Sequence, residues 1–206
     1  MADLTRRGRP RRYDRGEILV REQVQCDAVV VLRTGRVKVT SYTAGGTEVI
    51  LAVRGPGALI GELSAMDGGA YSATVQALEP VTALVTPLPE FTTFLQAHGR
   101  VAVLLTQLLV GRLRDADRKR IEFGAHDTTG RVAARLLELV DRFGEQTADG
   151  ILINLPLSQD ELASWTGASR EAVSKALSAL RADGAIRTSR LRVVVRDLEA
   201  LRARVR

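Results

Sequence analysis

The stretch LSQDELASWTGASREAVSKALSALRADGAI, residues 157–186, contains two amphipathic segments separated by a glycine. Ser158, followed three residues later by Glu161, forms a capping box, in which each side chain satisfies a backbone amide at the start of a helix. The pattern predicts a helix over residues 159–165, a turn at Gly167, and a second helix capped by Ser169. Two helices joined by a short turn that holds glycine are typical of a helix–turn–helix.

The second predicted helix has two separate faces when its residues are placed at about 100° per residue. Its apolar face consists of Val173, Ala176, Leu177 and Leu180, and its polar face of Arg170, Glu171, Ser174, Lys175, Ser178 and Arg181. We expect the polar face to contact base edges, because arginine suits guanine and glutamate accepts from cytosine. Ser169 is expected to be a cap whose neighbouring amides also meet a phosphate. A surface helix without nucleic acid is the alternative, and the basic segment RTSRLRVVV behind the helix favours DNA.

The net charge of +6 is concentrated at the two ends of the chain. Six arginines against two aspartates give residues 1–15 a charge of +4, and ten basic against four acidic residues give residues 169–206 a charge of +6. The stretch between them therefore carries −4. Basic ends indicate a polyanionic partner, with a solvated basic tail as the alternative.

Upstream of these helices, short runs rich in β-branched residues alternate with glycine-containing turns. The runs are AVVVL (28–32), RVKVTSY (36–42), TEVILAV (47–53), SATVQAL (72–78) and VTALVTPL (81–88). Alternation in the third run places Val49, Leu51 and Val53 on one face of a strand. Regularly spaced short strands predict an antiparallel barrel or roll. We assign residues 1–12 to a flexible basic arm and 13–95 to the β-roll.

Helical spacing of apolar residues follows, from Leu88 to about Ile121. The apolar stripe is wider than one packing surface requires, so we predict a dimerisation helix over 96–124; a helix buried within a monomer is the alternative. HDTTGRVAARLLELVDRFG (126–144) predicts another helix that Gly144 ends. The fold class is α+β, with a C-terminal winged helix–turn–helix over residues 125–206.

The order and spacing of these segments resemble the cyclic AMP receptor protein/fumarate-nitrate regulator (CRP/FNR) family of bacterial transcription factors. The resemblance covers nearly the whole chain and includes YDRGEILVREQ (13–23), LRTGRVKV (32–39), GPGALIGELSAMDGG (55–69), DTTGRVAARLL (127–137) and the stretch quoted first. It implies a homodimer that puts the recognition helix of each subunit, residues 169–182, into successive major grooves. It also implies base contacts by Arg170, Glu171 and Lys175, backbone contacts by Ser169, and RNA polymerase as a partner.

In members of the family that bind cyclic AMP, the resembling cassette has Gly-Glu-Leu and then an Arg-Ser pair that holds the phosphate. Gly61, Glu62, Leu63 and Ser72 match this cassette, but Tyr71 stands at the arginine position. The alternative for Glu62 is a structural role, as a cap of the helix begun at Gly61 or as the partner of a neighbouring arginine. The Thr-Ser pair that meets the adenine falls on Ala116 and Asp117. Tyrosine supplies neither a positive charge nor a bidentate fork. We therefore expect that the pocket does not bind cyclic AMP in the usual way. Three alternatives remain open: cyclic-nucleotide regulation, another small effector, or no ligand.

Several classes of protein are disfavoured by the sequence. It contains no nucleophile elbow, Walker loop or metal-spaced histidine cluster, so we do not expect an enzyme or a metal site. Cys26 alone cannot supply an iron–sulfur cluster, and we interpret it as a small residue next to the apolar run 28–32. No apolar run approaches the length of a membrane span and no secretory signal is present, so we expect a cytoplasmic, nucleoid-associated protein. A ligand-gated interaction module without DNA function is the main rival interpretation.

Overall fold

The computed structural model describes residues 8–154, 157–189 and 191–205. The chain forms two compact units that divide between Leu113 and Arg114. The predicted N-terminal arm lies partly outside the described residues.

The first unit is built on two antiparallel sheets of four strands each. The strands are β1 (Arg9–Tyr13), β2 (Ile18–Val20), β3 (Ala28–Thr34), β4 (Val37–Tyr42), β5 (Glu48–Arg54), β6 (Leu59–Ile60), β7 (Thr74–Ala77) and β8 (Val81–Pro87). Their orders are β1-β8-β3-β6 and β2-β7-β4-β5. A buried cluster that includes Tyr13, Leu32, Val37, Val75 and Val81 forms the core. The antiparallel β-roll predicted from the sequence is confirmed.

The N-terminal arm is a correction to the sequence-based prediction. Residues 9–12 form most of β1, which pairs with β8 from Arg9↔Val85 to Tyr13↔Val81. Tyr13 is 3% exposed and anchors the strand, because its ring belongs to the core. By pairing with β8, β1 supplies hydrogen-bond partners to backbone groups along one edge of that strand. The prediction of a flexible arm is therefore wrong for residues 9–12, and residues 1–7 lie outside the described ranges.

Three helices begin in the first unit: α1 (Glu62–Asp67), α2 (Leu88–Ala97) and α3 (Gly99–Ala125). The sequence predicted one helical pattern from Leu88 to Ile121, but the chain bends by 110° between α2 and α3. The break falls at His98, where φ is −130° and ψ is 71°. Phe91 and Phe94 are buried and hold α2 in place, with Phe91 packing against Val29 of β3. Among the described residues no single helix is long and apolar enough to cross a membrane; α2 and α3 reach that length and composition only as a bent pair.

The second unit contains the end of α3 and a winged helix–turn–helix. Its further elements are α4 (Thr128–Phe143), β9 (Gly144–Thr147), β10 (Gly150–Ile153), α5 (Gln159–Thr166), α6 (Arg170–Ala182), β11 (Ile186–Ser189), β12 (Arg192–Val195) and α7 (Leu198–Ala203). The four strands form one sheet in the order β11-β12-β10-β9. Asp127 caps α4 by accepting a hydrogen bond from the amide of Gly130 at 2.8 Å. Gly144 ends α4 as predicted, but with an extended backbone, because it opens β9 directly.

Candidate nucleic-acid interface and effector pocket

The start of α5 and the turn after it follow the predicted local rules. The Ser158 amide donates to Glu161 Oε2 at 2.8 Å, and the Glu161 amide donates to Ser158 Oγ at 3.1 Å, which completes the capping box. Gly167 ends α5 with φ 59° and ψ 42°, a left-handed conformation that favours glycine. Ser169 then caps α6, since its Oγ accepts from the amide of Ala172 at 3.2 Å. These contacts fix where the second helix begins.

The two faces of α6 separate as the sequence predicts. All four apolar residues are buried: Val173, Ala176, Leu177 and Leu180. On the other face Ser169, Arg170, Glu171, Lys175 and Arg181 are exposed, and Ser174 is half-buried. The α6 surface is therefore an exposed polar strip on a helix that is anchored from behind.

The charged groups at the start of α6 remain available to a partner. Arg170 Nε lies 3.7 Å from Asp160 Oδ1, and both side chains are about two-thirds exposed, at 64% and 67%. An exposed pair of this kind contributes little to stability, about 0–1 kcal/mol. The pKa of Glu171 is lowered, first by a hydrogen bond from its own backbone amide and then by one from the Ser169 hydroxyl. Glu171 is thereby held in the ionised form, which only accepts hydrogen bonds.

Arg181 has partners within its own unit. Its guanidinium donates to Thr188 Oγ1 at 2.8 Å and to Ser178 Oγ at 2.7 Å. Thr188 belongs to β11, the first strand of the wing. Arg181 thus joins the end of α6 to the wing, although the sequence placed it with the base-reading residues. Arg187 and Arg192 of the wing are exposed.

The cassette of the first unit contains an ion pair whose acidic member is buried. Gly61 precedes α1 with φ 86°, and Glu62, the first residue of α1, is 2% exposed. Arg112 of α3 pairs with Glu62 Oε1 and also donates to the Leu59 carbonyl at 2.8 Å. Within the described ranges Glu62 Oε2 has no hydrogen-bond partner. Burial raises the pKa of Glu62, and the charge of Arg112 partly opposes that rise.

Tyr71 fills the space beside Gly61. A Cβ built on Gly61 would lie 3.0 Å from Cε1 of the Tyr71 ring, so the ring lies against the glycine backbone. The Tyr71 hydroxyl donates to the Ala28 carbonyl at 2.7 Å and accepts from the Ala28 amide at 3.3 Å. The side chain is 6% exposed, and burial raises the pKa of its phenol. A neutral, hydrogen-bonded aromatic side chain therefore occupies the position at which family members that bind cyclic AMP have an arginine.

The remaining cassette residues predicted from the sequence are on the surface. Leu63 is 45% exposed and Ser72 is also exposed. Ala116 and Asp117 are exposed on α3 and fall within the second unit. Of the predicted pocket residues, the structure thus brings together Gly61, Glu62 and Tyr71. Cys26 is also buried beside the cassette: it is 4% exposed, and its Sγ lies 3.8 Å from the Gly61 carbonyl oxygen.

Comparison with known proteins agrees with both halves of this architecture. Residues 10–98 match the cyclic nucleotide-binding domain, and residues 130–204 match the Crp-like helix-turn-helix domain. The CRP-like cAMP-activated global transcriptional regulator of Mycobacterium tuberculosis is 31% identical over 206 residues, which cover all of this chain and 92% of that protein. The chain belongs to the CRP/FNR family. The cyclic AMP receptor protein of Thermus thermophilus is likewise 31% identical, over 93% of this chain and 85% of its own length.

A solved CRP-family transcriptional regulator, also from Thermus thermophilus, gives the same result for the fold. It aligns with a TM-score of 0.78 at 26% identity, and the alignment covers 95% of this chain and 96% of that one. As a CRP/FNR protein, the chain is a DNA-binding transcriptional regulator with an α+β fold. Enzymatic activity is not a property of this family of regulators.

Arg112 is the residue that sequence reasoning missed in the CRP/FNR cassette. It lies three residues after Leu109 and seven after Leu105, in line with the stripe by which α3 packs on the first unit. A charged residue at such a position requires a buried partner. The position of Arg112 on the packed stripe therefore indicates a buried acidic partner, but it does not identify that partner as Glu62.

Proposed function

We propose that the protein is a homodimeric, sequence-specific transcription regulator that inserts α6 into the major groove of DNA. The observation that carries the proposal is the exposed polar strip of α6 on a fully buried apolar face. Arg170 is assigned to guanine, Glu171 to cytosine and Lys175 to a further base edge. Ser169 and Ser174 are assigned to the phosphate backbone, and Arg181 to holding the wing against α6.

The proposed dimer uses α3. Val103, Thr106, Val110 and Leu113 are all exposed and follow each other at spacings of three, four and three residues. This is the spacing of a coiled-coil seam, and the three apolar members are 57%, 41% and 62% exposed in a single copy of the chain. A second copy is the occupant that the seam fits, because a symmetric dimer presents the same stripe twice. Two recognition helices about 34 Å apart then meet successive major grooves.

The effector pocket is proposed to be closed to cyclic nucleotides by Tyr71. Its ring occupies the space beside Gly61, and its hydroxyl is already bonded to Ala28. Without an arginine at position 71, a phosphate would face the carboxylate of Glu62, whose charge is offset first by Arg112 and then by Arg54. A hydrogen bond to a charged group contributes about 1.5–3 kcal/mol, so the missing arginine should weaken phosphate binding about 10- to 100-fold.

Cyclic-nucleotide regulation is the second candidate, because one relative is described as cAMP-activated and another as a cyclic AMP receptor protein. It requires Tyr71 to leave its place beside Gly61. A different small effector is a third candidate for the same pocket. RNA polymerase is proposed as a protein partner and the bacterial cytoplasm as the location, both from membership of the family.

The test is a selection of bound duplexes from random sequence, with and without cyclic AMP and cyclic GMP. We expect a near-palindromic site that is selected equally well in all three conditions. Arg170→Ala should weaken binding to that site by about 1–3 kcal/mol and relax the preference at one base position. Arg202→Ala on α7 is the matched control and should change neither.

Three outcomes would count against parts of the proposal. Equal weakening of Arg170→Ala on every duplex would make Arg170 a phosphate contact. A preference that appears only with nucleotide would favour the second candidate. Failure to enrich any sequence at low salt would refute sequence-specific DNA binding.

A further inference from the structure

The last turn of α3 lies against the turn of the helix–turn–helix. A Cβ built on Gly167 would lie 2.5 Å from Cε1 and 2.9 Å from Cζ of Phe123, so the edge of the Phe123 ring contacts the glycine backbone. Phe123 is 50% exposed, which means that half of its surface is covered by neighbouring groups. Two features therefore favour glycine at position 167. The backbone has a left-handed φ, and the Phe123 ring leaves no room for a Cβ.

Arg131 of α4 reinforces the same contact. Its guanidinium carbon lies 5.4 Å from the centre of the Phe123 ring, within the range of a cation–π interaction. Its Nε donates to the carbonyl of Thr166, the last residue of α5, at 2.9 Å. One of its terminal nitrogens donates to the carbonyl of His126, between α3 and α4, at 3.1 Å. Arg131 thus joins the end of α5 to the end of α3.

A second set of contacts lies one turn earlier on α3. Lys119 Nζ and the guanidinium carbon of Arg135 lie 5.6 and 5.7 Å from the centre of the Trp165 ring in α5. Arg135, which is 5% exposed, pairs with Glu122 of α3 and with Glu138 of α4. Lys119 also pairs with Glu138, at 3.3 Å. The end of α3 is therefore fastened to α4 and α5 by charged groups along two turns.

We propose that Phe123 is a positioning residue for DNA recognition, because its ring sets the turn between α5 and α6 and thereby the direction of α6. The inference rests on the proposed role of α6 as recognition helix. The three residues of the turn are held locally by the amides of Gly167 and Ala168, which donate to the Ala163 carbonyl, and by the Ser169 cap. The ring of Phe123 on one side, and the Arg131 bond to Thr166 on the other, restrict the angle at which α6 leaves the turn.

The experiment compares Phe123→Ala and Phe123→Leu with Leu201→Ala in the full-length chain. Leu201 is fully buried in α7 of the same unit and serves as the control for lost stability. The first measurement needs no DNA: it is hydrogen exchange of the Ala168 amide, which donates from the turn to the Ala163 carbonyl of α5 at 3.1 Å. Fluorescence quenching of Trp165, the single tryptophan, reports the neighbouring contact of its ring with Lys119 and Arg135. The second measurement is affinity for the selected site and for an unrelated duplex.

Phe123→Ala should speed exchange at Ala168 and lower affinity for the selected site about 2- to 30-fold, while binding to the unrelated duplex keeps its strength and salt dependence. Phe123→Leu should recover most of the loss. Leu201→Ala should lower the melting temperature without either effect at temperatures where the chain is folded. Wild-type exchange and wild-type site affinity in Phe123→Ala would overturn the inference, as would the same affinity loss in Leu201→Ala.

A double-mutant cycle with Gly167→Ala tests the contact itself. Gly167→Ala should be less harmful to site affinity in the Phe123→Ala background, because the ring that meets the new Cβ is gone. Equal harm in both backgrounds would show that the ring does not press on the turn. If the wild-type chain selects no duplex, the proposed function fails, whereas exchange at Ala168 still decides whether Phe123 holds the turn.

Discussion

Replacing Tyr71 with arginine should convert the closed pocket into one that binds a cyclic nucleotide. The substitution removes the ring from beside Gly61 and returns a guanidinium to the phosphate position. It also removes the hydroxyl that donates to and accepts from Ala28. Loss of those buried partners should cost about 1–3 kcal/mol of the free energy of unfolding. The apo variant should therefore melt at a lower temperature than the wild type.

Nucleotide should then restore that stability in the Tyr71→Arg variant alone. A ligand present at 100 times its dissociation constant stabilises the folded state by about 2.7 kcal/mol. For a chain of this length, each kcal/mol raises the melting temperature by about 2–4 °C, so the expected rise is about 5–11 °C. Differential scanning calorimetry with and without cyclic AMP measures the rise, and titration calorimetry measures the affinity.

Tyr71→Phe is the matched control for this experiment. It keeps the ring beside Gly61 and loses only the hydroxyl, so it should be destabilised without any response to nucleotide. A wild-type chain that cyclic AMP stabilises would refute the closed pocket. A folded Tyr71→Arg variant that shows no rise would mean that Tyr71 is not the residue that excludes nucleotide, and would direct attention to Glu62, Ala116 and Asp117.

Replacing the three arginines of β1 with alanine keeps the strand backbone and should reduce the salt dependence of DNA binding. The slope of log K against log salt concentration should fall in magnitude by about 0.9 for each phosphate that is no longer neutralised. An unchanged slope in binding titrations would show that β1 is not part of the interface. Glu62→Gln should remove a pH dependence of stability. The raised pKa of Glu62 in the folded chain makes wild-type stability, measured relative to this variant, greatest below pH 4.5 and smaller as pH rises through the raised pKa; denaturant titrations that give the same difference at pH 4 and pH 8 would contradict this. Arg135→Ala should cost about 1–3 kcal/mol, because Arg135 is 5% exposed and its removal breaks the pairs with Glu122 and Glu138, although Lys119 and Arg142 still pair with Glu138. Arg118→Ala, whose side chain is 60% exposed, should cost under about 1 kcal/mol. Chemical denaturation that ranks the two alike would show that the more buried arginine carries no special weight.

The first residue of each helix in the helix–turn–helix was predictable from the sequence because the signals for it are local. A capping box, a left-handed glycine and a serine cap each involve residues no more than four apart, so the backbone at Ser158, Gly167 and Ser169 follows from chemistry in the sequence itself. The buried face of α6 follows from the same short-range periodicity. Arg181 was the exception, because Thr188, its partner, lies beyond the end of the helix.

Errors arose where distant segments decide the outcome. Alternation placed Leu51 and Val53 on one face of a strand, but Leu51 is 44% exposed whereas Val53 is 1% exposed, and Ile50 and Ala52 are also buried. A register shift between Val39 and Thr40 on the paired strand β4 accompanies this change of face. The pairing of β1 with β8 likewise joins residues about seventy positions apart along the sequence.

The effector pocket shows the same limit. A substitution at Tyr71 indicates that an arginine is missing, but the sequence does not say which group takes its space. That the ring itself lies against Gly61 and bonds to Ala28 depends on three segments meeting. The pairing of Glu62 with Arg112 depends on α3 lying beside the cassette.

The division of the chain inside α3, between Leu113 and Arg114, limits how sensor and DNA-binding halves can be exchanged among relatives. A hybrid protein joined at the loop after Ala125 would take the end of α3, with Glu122 and Phe123, from the relative that supplies the sensor half. Those residues would then not match the DNA-binding half that they contact. A hybrid joined within the helix keeps those residues but must preserve helical phase, since each added residue rotates the remainder of the helix by about 100°. Insertions of about seven residues, close to two full turns, are therefore the spacers most compatible with a working chimera.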